Sequence, residues 1–409
     1  MKTQIKGLIC TTLASVAALF AAAKNAPEEI WGAPAQQNRA EIVWTRVICK
    51  QPGRYIGWPT ACLRKNGELL AVFSGDRDGH VCPFGKVQMI RSDDLGETWS
   101  PARTICNTPL DDRDAGIIEL PNGDLVVAWF TSVAYMQRIR DRGKLKPGSP
   151  PFYWWLHDEK ISKDTKREWL GYFTTRSSDG GETWEPPVRT RGSANHGPIL
   201  LKDGRLLMVG RRWMGDGTDA VWKDVKHELP VEESRDGGRS WQVIAMIEPA
   251  PPGEIDQFHE PHVVETDDGR LVAQFRYHGK NEQRRDESAR TLWQVESGDG
   301  GKTWTRMTPT GIQGYPPHLI KLRDGKLLTV YGRRLGPAFG QYACLSDDHG
   351  RTWDMANEIK LAGNFNNDLG YPASVELPDG SIITVYYQPE KQGEKTICLM
   401  ATKWRVKRQ

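Results

Sequence analysis

The sequence predicts an all-β protein, a six-bladed β-propeller of four-stranded antiparallel blades closed by an N-terminal strand that completes the last blade. Three observations carry this expectation. A turn motif of the form S-x-D-x-G-x-T/S-W occurs five times. A second unit, apolar strand, Asn/Asp-Gly turn, apolar strand, occurs six times. The composition suits short strands and tight turns, with 41 Gly, 26 Pro and 16 Trp in 409 residues.

The turn motif reads "SDDLGETW" (Ser92 to Trp99), "SSDGGETW" (Ser177 to Trp184), "SRDGGRSW" (Ser234 to Trp241), "SGDGGKTW" (Ser297 to Trp304) and "SDDHGRTW" (Ser346 to Trp353). Its chemistry is that of a hairpin turn. Asp accepts backbone N–H bonds, Gly supplies a positive φ, Ser and Thr close the turn, and Trp packs beneath it.

The second unit reads "WPTACLRKNGELLAVF", "DAGIIELPNGDLVVAWF", "HGPILLKDGRLLMVGRR", "EPHVVETDDGRLVAQFR", "PPHLIKLRDGKLLTVYGRR" and "YPASVELPDGSIITVYY". Asn-Gly and Asp-Gly between apolar runs are strong hairpin signals. The turn glycines are Gly67, Gly123, Gly204, Gly269, Gly325 and Gly380, mostly 55 to 65 residues apart, which suits one blade each. After the sixth copy only "TICLMATKW" (Thr396 to Trp404) remains, so the last blade is one strand short. "EIVWTRVICK" (Glu41 to Lys50) supplies the missing strand and removes an open sheet edge.

One spacing departs. Gly123 and Gly204 are 81 residues apart, and the excess lies near residues 134–170. This insertion is basic and holds Phe152, Tyr153, Trp154 and Trp155 together. Two readings stand: a surface excursion whose aromatics cover a blade edge, or a lid that stacks on sugar rings.

The N-terminus reads as an export signal over residues 1–23. Lys2 and Lys6 precede "GLICTTLASVAALFAAA", an apolar run shorter than the ~20 residues of a spanning helix, and Ala21 and Ala23 offer a small-x-small cleavage site. Residues 24–40 read as a linker and 41–409 as one propeller domain. The expected location is periplasmic or secreted, with no membrane span in the mature chain. Six cysteines follow the signal: Cys49, Cys62, Cys82, Cys106, Cys344 and Cys398. They show no CxxC spacing, and both disulfides and isolated thiols fit an exported chain. With 55 Lys+Arg against 52 Asp+Glu, no broad field attracts a polyanion, so nucleic acid is not an expected partner. A monomer is compatible with a closed ring.

Propeller geometry converts the repeats into a location. Residues just before each inner strand, and those about seven after each turn glycine, converge at one rim of the axis. The first set is Trp58, Asp114, Asn195, Glu260, Tyr315 with Pro316, and Tyr371, with Arg113, His196, His259, His262 and His318 close by. The second set is Arg211 and Arg276, with Arg333 one residue further. The first blade adds Asp76, Arg77, Asp78 and His80. Converging arginines point to an anion, because the guanidinium fork matches a carboxylate. The histidines lack the local spacing of a zinc site, and no metal or other cofactor is expected.

The five turn motifs are Asp-boxes, and the chain resembles the sialidase superfamily of Asp-box propellers over nearly its whole mature length. That resemblance implies an exo-acting glycosidase in which three arginines grip a sugar carboxylate. A Tyr activated by a Glu attacks the anomeric carbon, and an Asp serves as acid/base. "GYPASVELPDG" resembles the segment that carries the nucleophile, Tyr371 here. "HEPHVVETDDGRLVAQFR" resembles the segment with the activating Glu and one arginine, giving Glu260 and Arg276. "LLTVYGRR" resembles the neighbourhood of another arginine, Arg333 or Arg334. The chain departs from the family at "GWP", where Trp58 stands in place of an Arg-Ile-Pro arginine. It departs again at "SGDRDGHVCPFGK", where a gapless reading puts Cys82 or Pro83 at the acid/base position, and a shifted loop brings Asp76, Asp78 or His80 there.

The expected function is therefore an exported glycosidase that releases a terminal acidic sugar, sialic acid foremost, from a glycan or glycoconjugate. Tyr371, Glu260 and one of Asp76, Asp78 or His80 are its candidate catalytic residues. Arg276, Arg333, Arg77, Arg113, Arg211, Tyr315, His262, His318, Trp58, Asp114 and His196 are candidates to hold substrate. Two alternatives stay open. One is an enzyme of the same fold with another specificity, such as a uronate-directed lyase or a His-assisted glycosidase of the rhamnosidase kind. The other is a propeller that binds glycans without turnover.

Overall fold

A computed structural model describes residues 34, 36–213, 226–251, 253–279, 290–336 and 338–407. The export signal and most of the linker lie outside the described residues. Among the described residues no helix is long and apolar enough to cross a membrane.

Each of the six repeat units forms an inner hairpin followed by further strands. The first unit holds β2 (Tyr55–Leu63), β3 (Leu69–Arg77), β4 (Lys86–Ser92) and β5 (Arg103–Cys106). The second holds β6 (Asp111–Glu119), β7 (Leu125–Ser132), β8 (Tyr172–Ser177) and β9 (Val188–Thr190). The third holds β10 (Ile199–Leu200), β11 (Leu206–Val209), β12 (Pro230–Ser234) and β13 (Gln242–Met246). The fourth holds β14 (Phe258–Glu265), β15 (Leu271–Tyr277), β16 (Thr291–Ser297) and β17 (Thr308–Gln313). The fifth holds β18 (His318–Lys321), β19 (Leu327–Arg333), β20 (Gly340–Ser346) and β21 (Ile359–Gly363). The sixth holds β22 (Gly370–Glu376), β23 (Ile382–Pro389) and β24 (Ile397–Val406).

Four of these units, the second to the fifth, stand as separate four-stranded antiparallel sheets. The expectation of six separate blades is corrected here. The first and sixth units share one eight-stranded sheet, joined where β2 meets β24 in a single parallel pair, Tyr55 with Ile397. The N-terminal strand β1 (Ala40–Cys49) pairs antiparallel with β24 along its whole length, from Ala40 opposite Val406 to Cys49 opposite Leu399. It covers the edge that the short last unit leaves open.

All six turn glycines take positive φ, between 80° and 90°. The Asp-boxes fold alike between the two outer strands of their units. In the first, Ser92 Oγ donates to Asp94 Oδ1 at 2.8 Å and accepts from the Gly96 amide at 2.8 Å, and the Thr98 amide and hydroxyl both donate to Asp94. Those bonds, the two from Thr98 foremost, hold the Asp94 carboxyl down at about 2. Between units, apolar faces merge into clusters. Ile56, Trp58, Leu69 and Phe73 of the first unit pack on Tyr371, Ile383, Val385 and Tyr387 of the sixth. Each fully buried side chain of this size contributes about 1.5–3 kcal/mol. All six cysteines are free thiols, so packing and hydrogen bonds close the ring.

The insertion is helical rather than an irregular loop. It contains α1 (Met136–Ile139), α2 (Pro150–Asp158) and α3 (Lys163–Trp169). Two prolines open α2, and the Ser162 side chain caps α3 at the Thr165 amide. Trp154 is buried in a cluster with Cys82, Leu110, Phe130 and Tyr172, and Phe152 and Trp155 are partly buried. Only Tyr153 of the four aromatics is exposed, at 52%. The packing therefore favours a brace on the first two units over a sugar-stacking lid.

Inner strands meet near the axis where glycine permits. A methyl group on Gly116 would run into the backbone of His196 and Gly197 in the third unit. Gly116 has no positive φ, so the constraint is steric alone. Gly116→Ala is expected to cost about 3 kcal/mol by overpacking. Gly123→Ala, strained only in its turn, should cost about 1–2 kcal/mol. Denaturant unfolding of the two variants measures the difference.

Candidate functional site

The axial rim is built by one repeated backbone device. Trp58, Asp114, Glu260 and Tyr371 all have left-handed backbones, with φ of 57°, 50°, 46° and 51°. Each lies inside a break in register between its inner strand and the next: Gly57/Thr60, Arg113/Gly116, His259/His262 and Gly370/Ala373. A bulge with a left-handed residue re-aims the side chain out of the strand's alternation. Such a conformation in a non-glycine residue costs about 1–3 kcal/mol, and it recurs here at four equivalent positions.

The bulges bring Tyr371 and Glu260 together. The Tyr371 hydroxyl donates to Glu260 Oε1 at 2.5 Å. Arg276 Nη1 donates to Glu260 Oε2 at 2.7 Å and Oε1 at 2.9 Å, and its Nε donates to His278 Nε2 at 2.9 Å. Burial raises the Glu260 pKa, but Arg276 first, then His259 and the Tyr371 hydroxyl, outweigh it and hold the carboxylate at about 2. Burial, then the Glu260 and Asp114 charges, push the Tyr371 phenol well above its usual value. At rest the pair is a neutral phenol against a carboxylate.

Aromatics and further guanidinium groups surround the pair. The Arg276 guanidinium lies 4.2 Å from the Tyr315 ring centre. Arg334 lies 5.7 Å from the Tyr371 ring, donates from Nη2 to the Tyr387 hydroxyl at 2.8 Å, and keeps a buried Nε without a partner. Arg113 lies 4.4 Å from the Trp58 ring, with only long approaches to Asp111 and Asp114 of 3.8 and 3.9 Å. Its Nε is also buried and unpartnered. Arg334 and Tyr315 line a cleft of about 750 Å³ together with Arg290 and Phe339, a size that holds a sugar.

Several sequence candidates are placed elsewhere or already engaged. Arg333 turns away from Tyr371, pairs with Glu358 at 2.6 Å and lies over Tyr342, so Arg334 replaces it. The reason is strand alternation: Arg276 lies seven residues after its turn glycine, and Arg334, nine after its own, shares that parity while Arg333 does not. Arg77 is fully buried and forks onto both oxygens of Asp111 at 2.5 and 2.9 Å, so it braces the rim. Arg211 is bound to His259 Nδ1 and to the Asp256 carbonyl at 3.1 Å. It supports the wall behind Glu260. Asp76 is held by Arg54 at 3.0 Å and by Lys86. Asp78 is held by Arg54 and by the Trp154 indole at 2.7 Å.

His196, His262 and His318 form a buried cluster on the axis, with the last two rings stacked at 4.5 Å. His262 Nδ1 accepts from the Leu319 amide at 2.9 Å and His318 Nδ1 from the Ser374 amide at 3.4 Å. His196 Nδ1 meets the Thr60 hydroxyl at 3.0 Å. These rings link inner strands of different units, and His196 Nε2 is buried without a partner among the described residues. Asp114 is buried, accepts from Asn195 Nδ2 at 2.5 Å, and leaves Oδ1 unpartnered. Burial above all raises its pKa to about 7, against the lowering effect of Arg113.

Tyr387, Tyr55, Asp368 and His278 were not among the sequence candidates. Tyr387 lies seven residues after Gly380, the position that singled out Arg211 and Arg276. Tyr55, Asp368 and His278 carry no positional signal in the repeats.

The sequence pattern of the BNR repeat-like domain matches residues 155–387, more than half of the chain. The chain belongs to that family. No curated protein matches it in sequence. Among solved structures, a protein of unknown function from Dyadobacter fermentans is similar at 23% identity and TM-score 0.70, covering 90% of this chain and all of that one. The Hadza microbial sialidase Hz136 is similar at 16% identity and TM-score 0.58, over 86% of this chain and 65% of that one. The leech intramolecular trans-sialidase, complexed with 2,7-anhydro-Neu5Ac, is similar at 14% identity and TM-score 0.57, over 89% of this chain and 70% of that one. At these identities the likeness is one of fold.

Asp114 gives a stability test of the site. Its folded pKa is raised, so its stabilising contribution is full below the ordinary carboxylate value of 3.8 and is lost as pH rises toward about 7. Asp114→Asn removes this titration. The Tm of the variant relative to the parent is expected to rise between pH 4 and pH 8, and thermal melts across that range check it.

Proposed function

We propose that this chain is a glycoside hydrolase that releases a terminal acidic sugar, sialic acid foremost, from glycans outside the cytoplasm. Its frame is read as a six-bladed ring in which two blades share the eight-stranded sheet. The observation that carries the reading is the 2.5 Å contact of the Tyr371 hydroxyl with Glu260, flanked by Arg276 and Arg334. The N-terminal sequence supports export, and the sialidase-like fold supports the reaction class.

The chemistry follows from charge. The anomeric carbon of such a sugar carries a carboxylate, so a carboxylate nucleophile would be repelled. A phenol is neutral until the moment of attack. Tyr371 Oη bonds to the anomeric carbon as the bond to the leaving oxygen breaks, while the phenol proton passes to Glu260. Arg276, Arg334 and Arg113 hold the sugar carboxylate, with Trp58 as an apolar floor. Trp58 occupies the position where the superfamily carries an arginine, and Arg113 lies against its ring. At rest Arg276 binds Glu260 and keeps it a weak base. A substrate carboxylate that shares Arg276 weakens that hold and makes Glu260 more basic as the sugar settles.

Turnover of sialylated mucin and of uronic-acid-capped glycans, with product masses read by mass spectrometry, tests the reading. Tyr371→Phe and Glu260→Gln are expected to lose about 10²–10⁴-fold in kcat/KM. Full activity in both would overturn the assignment. An unsaturated product would replace hydrolysis with the lyase alternative.

A further inference from the structure

The proposed reaction needs a group that gives a proton to the leaving oxygen and later takes one from water. Asp76 and Asp78 each carry cationic partners, Arg54 on both and Lys86 on Asp76, whereas His80 in the loop after β3 has none among the described residues. His80 is exposed at the rim, and its ring lies 5.1 Å from that of Trp58. Its Nδ1 is 3.2 Å from the Tyr55 hydroxyl, which is itself 2.7 Å from Asp368 Oδ1.

A phenol has one proton. An Asp368 carboxylate only accepts, so Tyr55 donates to it, and the Tyr55 oxygen is left to accept from His80 Nδ1–H. That fixes the tautomer of the neutral ring. Nδ1 carries the proton, and Nε2 presents a lone pair to the rim with no partner among the described residues. The order Asp368, Tyr55, His80 is that of an orienting group, a bridge and a working base.

We propose that Asp368, Tyr55 and His80 form a relay that makes His80 Nε2 the acid/base of this site. The proposal rests on the reading of Tyr371 as nucleophile. In the first step Tyr371 Oη bonds to the anomeric carbon and its proton goes to Glu260. The bond to the leaving oxygen breaks, and that oxygen takes a proton from protonated His80 Nε2. In the second step a water oxygen bonds to the anomeric carbon and its proton goes to His80 Nε2. The bond to Tyr371 breaks, and the phenol recovers its proton from Glu260. One water is consumed and nothing is oxidised.

The groups around His80 set when it is protonated. Tyr55 of β2 and Trp58 pack on the ring, and Arg113, Arg77, Arg334 and Arg276 repel its positive form. Burial of one side of the ring, then these arginines with Arg113 first, push its pKa down to about 3. A bound sugar carboxylate offsets the arginines. Protonation of His80 then accompanies substrate binding, and hydrolysis of poor leaving groups is favoured on the acid side.

Two measurements test the relay. In the first, proton–nitrogen NMR of histidine-labelled protein reads the tautomer without any substrate. Nε2 of His80 is expected to lack a proton, and Tyr55→Phe to weaken that preference. A proton resident on Nε2 in the parent protein overturns the proposal. The second compares 3′-sialyllactose with 4-nitrophenyl α-sialoside, a poor and a good leaving group. His80→Gln should lose about 10²–10⁴-fold on the first, with a much smaller loss of the nitrophenol burst on the second, and added azide should restore turnover. Tyr55→Phe, which keeps the ring packing, should lose about tenfold on 3′-sialyllactose and shift the alkaline limb of its pH profile downward. Equal losses on both substrates mark a merely structural role and overturn the relay. Failure of the parent on both sialosides counts against the proposed substrate and leaves the NMR result to decide the relay.

Discussion

The contact between the Tyr371 hydroxyl and the Glu260 carboxylate joins residues 111 positions apart, and everything proposed for the site depends on it. It exists because the ring closes. Tyr371 opens β22, whose sheet is anchored through β23 and β24 to β1 at one side and to the first unit at the other. β1 covers the edge of β24 that the short sixth unit leaves open. Fold and chemistry thus share one constraint. The left-handed bulges at Trp58, Asp114, Glu260 and Tyr371 are strained individually and are maintained by the packing of the closed ring.

The electrostatics of the rim point in one direction. Arg276 holds Glu260, Arg334 lies over the Tyr371 ring, and Arg113 lies over Trp58 with only long approaches to Asp111 and Asp114; Arg334 and Arg113 keep buried Nε atoms without partners. Buried guanidinium groups in such excess are costly unless an anion joins them. The low pKa of His80 expresses the same imbalance, since burial and then the arginines around it, which an acidic ligand would compensate, push it down.

Much of this architecture is legible in the sequence because it repeats. Six Asn/Asp-Gly hairpins and five Asp-boxes are local signals, each readable within about fifteen residues, and all of them fold as their turn chemistry demands. The rule that places rim residues beside the inner strands located Trp58, Asp114, Glu260 and Tyr371. What a sequence does not show is how units join and which way a side chain turns. The merging of the first and sixth units rests on one bridge between Tyr55 and Ile397. Arg333 and Arg334 are adjacent in sequence, and only the pleat decides which faces Tyr371. The Tyr55, Asp368 and His80 contacts cross from the sixth unit to the first and leave no periodic trace. The helical insertion lacked a repeat to read it against, and its Trp154 became legible only once the indole was seen on Asp78.

In the proposed reaction Tyr371 forms a covalent bond to an acidic sugar. Incubation with a 2,3-difluorinated sialic acid, followed by digestion and peptide mass mapping, tests this most directly, because fluorine slows release of the intermediate more than its formation. A single sugar adduct is expected on the peptide that contains Tyr371, absent in Tyr371→Phe. Steady hydrolysis of a sialoside by the parent protein with no adduct, or with the adduct on another residue, would contradict it.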